Sequence, residues 1–166
     1  MLPWGPQGEA PREAAIAGAG NPLEAVRVRR EQLHRAIVAV ERALARPAAR
    51  PEWLSGVATA MASLRRALDD HIDKAEGPDG LFEQVLADAS RFAGTIAAHR
   101  QAHSELTQAM TRGLDLMEGA IGAEEPPVGE IRRTLLGVLG RLARHRQLGA
   151  DLLYEAYQVD IGTGPG

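Results

Sequence analysis

Apolar residues recur along this chain at alternating spacings of three and four residues, which is the period of one buried face of an α-helix. The period holds through four long segments, and stretches rich in proline and glycine separate them. The pattern predicts long helices at residues 22–46, 51–75, 90–118 and 127–159, with a shorter connecting helix in the sequence LFEQVLAD. Four long helices joined by short links are typical of an all-α fold, the antiparallel up-down four-helix bundle.

The same pattern divides the chain into three parts. A length of 166 residues is sufficient for one domain with a buried core. Residues 1–21 are rich in proline, glycine and alanine and show no lasting period, so we expect a disordered N-terminal segment there. In the sequence NPLE, Asn21 is suited to cap a helix and Pro22 to begin it. We therefore expect the bundle at residues 22–162 and a flexible tail at residues 163–166.

Composition narrows the classes of function. The chain has 19 basic and 22 acidic residues, a net charge of -3 and no basic field that would indicate nucleic acid as a partner. We interpret the arginines of RVRREQLHR as a solvated helix face. No uncharged stretch is long enough to span a bilayer and the N-terminus lacks a signal-peptide pattern, so we expect a cytoplasmic protein without a membrane partner. Serines occur in no recognisable catalytic-triad setting, and whether the chain is an enzyme stays open.

Four of the five histidines replace an apolar residue on the buried stripe of a predicted helix. His71 lies on the second long helix, His99 and His103 on the third, and His145 on the fourth. A single histidine on such a stripe is more often a satisfied core residue than a ligand. Four together are harder to satisfy, because each neutral imidazole needs a donor and an acceptor and crowded imidazoles repel one another when protonated. A shared metal ion would relieve both difficulties, and we predict these four as its ligands.

Ligands in addition to these four histidines are harder to assign from the sequence. The chain has no cysteine, so imidazole and carboxylate are its strong side-chain ligands. His99 and His103 are one helical turn apart and can place two nitrogens at roughly 2.0–2.1 Å from one ion. His34 on the first helix is a fifth candidate, but counting residues from the turn leaves it roughly 12 Å from the level of His71. A carboxylate ligand would come from one of three acidic residues: Glu76, Glu41 or Asp151.

The order of these histidines resembles that of the hemerythrin-like, or HHE cation-binding, family: one on the first helix, one late on the second, HxxxH on the third and one on the fourth. The likeness covers about Leu23 to Gly162, and the ending RHRQLGADLLYEAYQVDIG is similar to that of uncharacterised bacterial members. The resemblance implies a bundle with a non-haem di-iron centre and a small diatomic ligand. The five imidazole ligands that it implies are His34, His71, His99, His103 and His145.

The chain departs from this family in the carboxylates that bridge the two irons. The family has an acidic residue four positions after the second-helix histidine and four or five after the last one. Those positions hold Ala75, Gly149 and Ala150 here. Glu76 and Asp151 lie one residue further along, and at about 100° per residue a regular helix points each of them well away from its histidine. The small residues could instead leave room for water, a single metal ion or a small ligand.

Two hypotheses of different classes remain. The first is a hemerythrin-like metal-binding protein that holds non-haem iron and has a dioxygen-binding or redox-sensing role. The second is a metal-free helical bundle that acts as an interaction or regulatory module. Neither hypothesis identifies a protein partner.

Overall fold

The computed structural model describes residues 22–49 and 51–158. Within these ranges the chain forms five α-helices and no β-strand: α1 (Pro22–Ala45), α2 (Trp53–Glu76), α3 (Leu81–Asp88), α4 (Ala93–Ala120) and α5 (Val128–Gln158). The four long helices pack against one another, so the predicted all-α four-helix bundle is confirmed. The disordered segment expected at residues 1–21 and the tail expected at residues 163–166 lie outside the described residues.

The links between the helices follow the predicted breaks. Helix α2 ends at Glu76, where Gly77 begins the turn GPDG, and α3 covers the sequence LFEQVLAD as predicted. Helix α4 begins at Ala93 rather than at Ser90, because Ser90–Phe92 form a single 3₁₀ turn. No side chain caps this start, so the end of α3 and the 3₁₀ turn together set the entry of α4.

The main core lies between the four long helices and is formed by the predicted apolar stripes. Helices α4 and α5 approach closely at Gly113, where a Cβ atom would lie 2.8 Å from Cδ2 of Leu135. Glycine is needed at this position because any side chain would displace the facing leucine. Several side chains of this core are fully buried: Val40, Met61, Leu64, Leu106, Met110, Leu135 and Leu142.

One end of the bundle, which we call the closed end, contains the end of α1 and the starts of α2 and α5. The Arg132 guanidinium lies 5.4 Å from the ring centroid of Trp53. It also donates hydrogen bonds to the carbonyl oxygens of Leu44, at 3.3 Å, and Arg46, at 3.1 Å. These bonds satisfy carbonyls at the end of α1 that no helical N–H can reach.

The opposite end, which we call the histidine end, is covered by α3. Phe82 and Val85 of α3 pack with Phe92, Ile96 and Leu152 in a second apolar cluster. The buried histidines lie between this cluster and the main core. Within the described residues, none of the helices has the length and apolar character needed to cross a membrane.

Candidate metal centre

Three helices bring histidines together at the histidine end. His71 comes from α2, His99 and His103 from α4, and His145 from α5. The exposed fractions of His99, His103 and His145 are 4%, 2% and 4%, while His71 is half-buried. The ring centroid of His145 lies 4.6 Å from that of His103, 5.4 Å from that of His71 and 5.5 Å from that of His99. The structure thus brings into one polar cluster the four histidines that the apolar stripes singled out.

Three of these side chains direct the same atom toward a common point. The Nε2 atom of His145 lies 3.0 Å from Nε2 of His103 and 3.2 Å from Nε2 of His71. Two nitrogen ligands with bonds of about 2.0–2.1 Å to one ion are separated by about 2.9–3.4 Å when the angle between them is tetrahedral or octahedral. The three ligand atoms lie within 4.8 Å of one another, and this is the one such group of three or more among residues 22–49 and 51–158. The cluster could therefore bind a metal ion.

Glu76 fixes the orientation of one of these rings. Its Oε1 atom lies 2.5 Å from Nδ1 of His103. A charged carboxylate can only accept a hydrogen bond, so His103 carries its proton on Nδ1 and keeps the Nε2 lone pair free. Carboxylates commonly orient metal-ligating histidines in this way. The sequence analysis predicted Glu76 as a ligand, and the structure places its carboxylate on the far side of the His103 ring from the three converging nitrogens.

The remaining rings cannot satisfy all of their hydrogen bonds among themselves. The Nδ1 atom of His145 is buried and has no partner in the part of the chain that the structure describes. If His145 carries its proton on Nδ1, that donor is unsatisfied and its Nε2 lone pair faces the lone pair of His103. If the proton is on Nε2, the Nδ1 acceptor is unsatisfied. In the first case, a metal ion that accepts both lone pairs removes the conflict at Nε2.

Electrostatics keep the converging rings neutral. Burial, together with the neighbouring His103, His71 and His99, lowers the pKa of His145 to about 3. Burial also lowers the pKa of His71 to about 4, with contributions from His103, Arg30 and Arg29. Neutral imidazole is the form that binds metal, so these rings need no deprotonation near pH 7.

The pKa values of the two histidines of α4, His99 and His103, are lowered as well. Burial lowers the pKa of His103, while the hydrogen bond and negative charge of Glu76 oppose that shift. Burial and then His103 lower the pKa of His99, and a backbone hydrogen bond at Leu148 opposes them. His99 forms a wall of the site.

Phe82 of α3 covers the histidines from the outside. Its ring is stacked on His103 with an angle of 12° and a centroid distance of 5.7 Å, and it lies 5.9 Å from His99. The sequence analysis treated α3 only as a connection. In the structure this short helix excludes solvent from one side of the cluster.

A cavity of about 70 Å³ adjoins the cluster. It is lined by the four clustered histidines, by small and apolar residues, and by three cationic residues: Arg29, Arg30 and Lys74. A wider cavity of about 390 Å³ also touches His71, His145 and Gly149. These arginines were not predicted to line a site, because RVRREQLHR was interpreted as a solvated face. Arg30 lies one turn before His34, but this spacing alone does not show which side chains meet the cavity.

Other candidate residues lie away from the converging nitrogens. His34 is exposed, and its Nδ1 atom lies 3.3 Å from Nη1 of Arg146. Glu41 is exposed on α1. Asp151 is exposed on α5, where its Oδ1 atom accepts a hydrogen bond from Gln147 at 3.1 Å. The structure therefore places none of these three beside the buried cluster.

Comparison with known proteins gives no further information on the site. No protein-family model, curated protein or solved structure matches this chain.

Proposed function

We propose that this chain is a hemerythrin-like metal-binding protein that holds non-haem iron in a dioxygen-binding or redox-sensing role. The observation that carries the proposal is the convergence of the Nε2 atoms of His71, His103 and His145, at separations of 3.0 and 3.2 Å. Imidazole ligands suit iron, zinc, copper and nickel. The order of the histidines along the helices resembles that of the HHE family and favours iron among these metals.

The residues around the three nitrogens would each contribute to binding. Glu76 holds His103 in the tautomer that presents Nε2, and Phe82 packs on the same ring. Three protein ligands leave positions on a first-row metal ion for a small molecule. A bound iron would supply reversible electron exchange and a place for a diatomic ligand. The cavity of about 70 Å³ supports access by such a ligand.

A metal-free bundle that acts as an interaction or regulatory module is the second candidate. The observation that favours it is the position of Arg29 and Arg30, whose positive charges act on His71. The same charges would repel a metal cation unless a negative group is bound with it. The two candidates differ in whether purified protein retains a metal.

The test compares metal content in two matched variants. Protein purified without an affinity tag is loaded anaerobically with Fe²⁺, desalted, and analysed by elemental mass spectrometry and visible absorption. We expect about one metal ion per chain, since three ligands for one ion is the usual minimum for a protein site. His103→Ala should lose the ion, whereas His34→Ala, which changes an exposed histidine, should retain it.

Two results would overturn the proposal. One is wild-type protein that retains none of iron, zinc, copper or nickel. The other is equal loss of metal from the His103 and His34 variants, which would show that binding does not depend on the buried cluster. Circular dichroism of each variant checks that a loss of metal does not simply report unfolding.

A further inference from the structure

The cavity beside the histidines has an excess of positive charge. Arg29 and Arg30 of α1 and Lys74 of α2 line it, and no lining residue is acidic. None of these three cations has an ion-pair partner among the residues that the structure describes. The carboxylate of Glu76 hydrogen-bonds His103 and keeps its negative charge. The three cations of the lining outnumber this carboxylate, so an excess of positive charge remains at the cavity.

A metal ion bound at the cluster would increase this excess. Three neutral imidazoles leave the charge of the ion unchanged, and the buried setting screens it less than water does. Arg29, Arg30 and Lys74, which we call the cationic rim, would repel a metal ion that binds alone. Metal binding is compatible with this rim when an anion binds together with the ion. Such an anion would be attracted by the metal and by the rim together.

The cavity has room for an anion of a few atoms. Its volume is about 70 Å³, and on this measure a single water molecule needs roughly 10–15 Å³. Small residues at Ala75 and Gly149 form part of the wall. A Cβ atom at Gly149 would contact only Cε1 of His99, at 4.0 Å, so the space beside this glycine is open.

The rest of the lining indicates what kind of anion fits. Leu81, Phe82 and Leu152 add apolar side chains to the lining of the cavity. A short carboxylic acid has both a charged end and an apolar end. Inorganic phosphate has no apolar part, so contact with these residues would not offset the free energy that phosphate loses with its hydration.

We propose that the metal site takes a small carboxylate from solution as an additional ligand. Its charged group would bind the metal ion and form ion pairs with Arg29, Arg30 and Lys74. Its hydrocarbon end would contact Phe82 and Leu152. This inference rests on the proposed function, because it requires the bound metal.

The first experiment measures carboxylate binding to protein loaded with the metal that the preceding test identifies. Acetate and butyrate are titrated by calorimetry and by the visible spectrum of the metal, with acetamide as a neutral molecule of the same size as acetate. We expect both acids to bind and acetamide not to bind. Since binding of the two ligands is coupled, saturating acetate should also raise the apparent metal affinity about tenfold.

Paired charge variants test the cationic rim. The double variant Arg29→Gln/Arg30→Gln should weaken acetate binding by about tenfold or more, because two charge-assisted contacts are lost. Its matched control is Arg35→Gln/Arg42→Gln, which removes the same charge from exposed positions on the same helix. The control should bind acetate within about twofold of wild type, because Arg35 and Arg42 do not line the cavity.

A substitution at Gly149 tests the position of the anion. Gly149→Asp would place a carboxylate in the open space beside His99 and should make metal affinity independent of added acetate. Gly149→Asn has nearly the same shape without the charge and should keep the dependence on acetate. Equal behaviour of these two variants would contradict the placement.

The outcomes separate this inference from the proposed function. If no metal is retained in any buffer, the proposed function itself fails. If metal is retained but acetate changes neither its spectrum nor its affinity, only the carboxylate inference fails. Tighter binding of phosphate than of butyrate would overturn the carboxylate assignment, and equal acetate binding by metal-free protein would overturn the role of the metal.

Discussion

Each end of this bundle has a buried nitrogen without a partner among the described residues, Nε1 of Trp53 and Nδ1 of His145, but the two ends differ in where their ionisable groups lie. At the closed end, the Arg132 guanidinium reaches from solvent over Trp53 and bonds to two backbone carbonyls. At the histidine end, His103 and His145 lie within the core, and Nδ1 of His145 has no partner among the described residues. The closed end thus keeps the charge of Arg132 at the surface. The histidine end instead buries imidazoles, which water would solvate better than the protein core does.

This difference indicates which end serves stability. Burial of a polar group without a partner opposes folding, and apolar residues of similar size would pack at lower cost. The bundle retains its imidazoles at one end only, while the fully buried side chains of the main core stabilise the fold. We therefore expect substitutions at the closed end to change stability and substitutions at the histidine end to change binding.

The largest effect is expected from Leu135→Ala near the closed end. Leu135 is fully buried against Gly113, and truncation of a buried leucine typically lowers the free energy of unfolding by about 2–5 kcal/mol. The melting temperature should fall by roughly 5–15 °C. The measurement is thermal and urea unfolding of metal-free protein.

The next residue supplies the control for this substitution. Leu136 has an exposed fraction of 56%, so Leu136→Ala should change stability by less than about 0.5 kcal/mol. Metal affinity of folded Leu135→Ala protein should stay close to that of wild type. A loss of metal as large as that of His103→Ala would show that the two ends are not independent.

Acid should destabilise the metal-free protein by a comparable but smaller amount. The pKa values of His145 and His71 are lowered to about 3 and about 4, against 6.5 in the unfolded chain. Between these values the unfolded chain binds more protons, so stability is complete above pH 6.5 and falls as the pH decreases. Each histidine contributes at most about 1.4 kcal/mol per pH unit, and we expect a total loss of about 2–3 kcal/mol between pH 6.5 and pH 5.

Urea unfolding at several pH values with a chelator present measures this loss. His71→Leu removes one of the two strongly shifted groups and should reduce the slope of stability against pH. Bound metal should delay the loss to lower pH, because protons must then compete with the ion for the same nitrogens. Stability that does not vary between pH 6.5 and pH 5 would contradict the neutral, buried state of these rings.

The sequence was sufficient for the helices and for the inward histidines. The three-four period of Leu64, Leu68 and His71 extends across many turns, so its buried face is determined by local spacing alone. The same spacing could not assign levels and neighbours between helices. His34 was kept as a fifth candidate although residue counting left it roughly 12 Å from the level of His71, and α1 presents it to solvent beside Arg146.

The sequence also could not predict which charged residues line the cavity. Arg29 and Arg30 belong to a run that is polar on several faces, and only the packing of α1 against the other helices shows which of its arginines meet the cavity. The Glu76 contact depends on the end of α2, where the side chain faces α4 and not His71. Such relations are tertiary, and a periodic pattern within one helix contains no information about them.

The smallest effect tests whether the histidine end opposes folding. His145→Leu replaces a buried imidazole, whose Nδ1 has no partner among the described residues, with an apolar side chain of similar size. Because an unsatisfied buried polar group costs about 1–3 kcal/mol and leucine needs no partner, metal-free protein should gain about 1 kcal/mol of stability at pH 8. Urea unfolding of wild type, His145→Leu and the exposed control His34→Leu measures the gain, and metal analysis should show that His145→Leu no longer binds the ion. A clear loss of stability in His145→Leu would mean that the imidazole is satisfied in the metal-free fold, and the contrast between the two ends would then rest on binding alone.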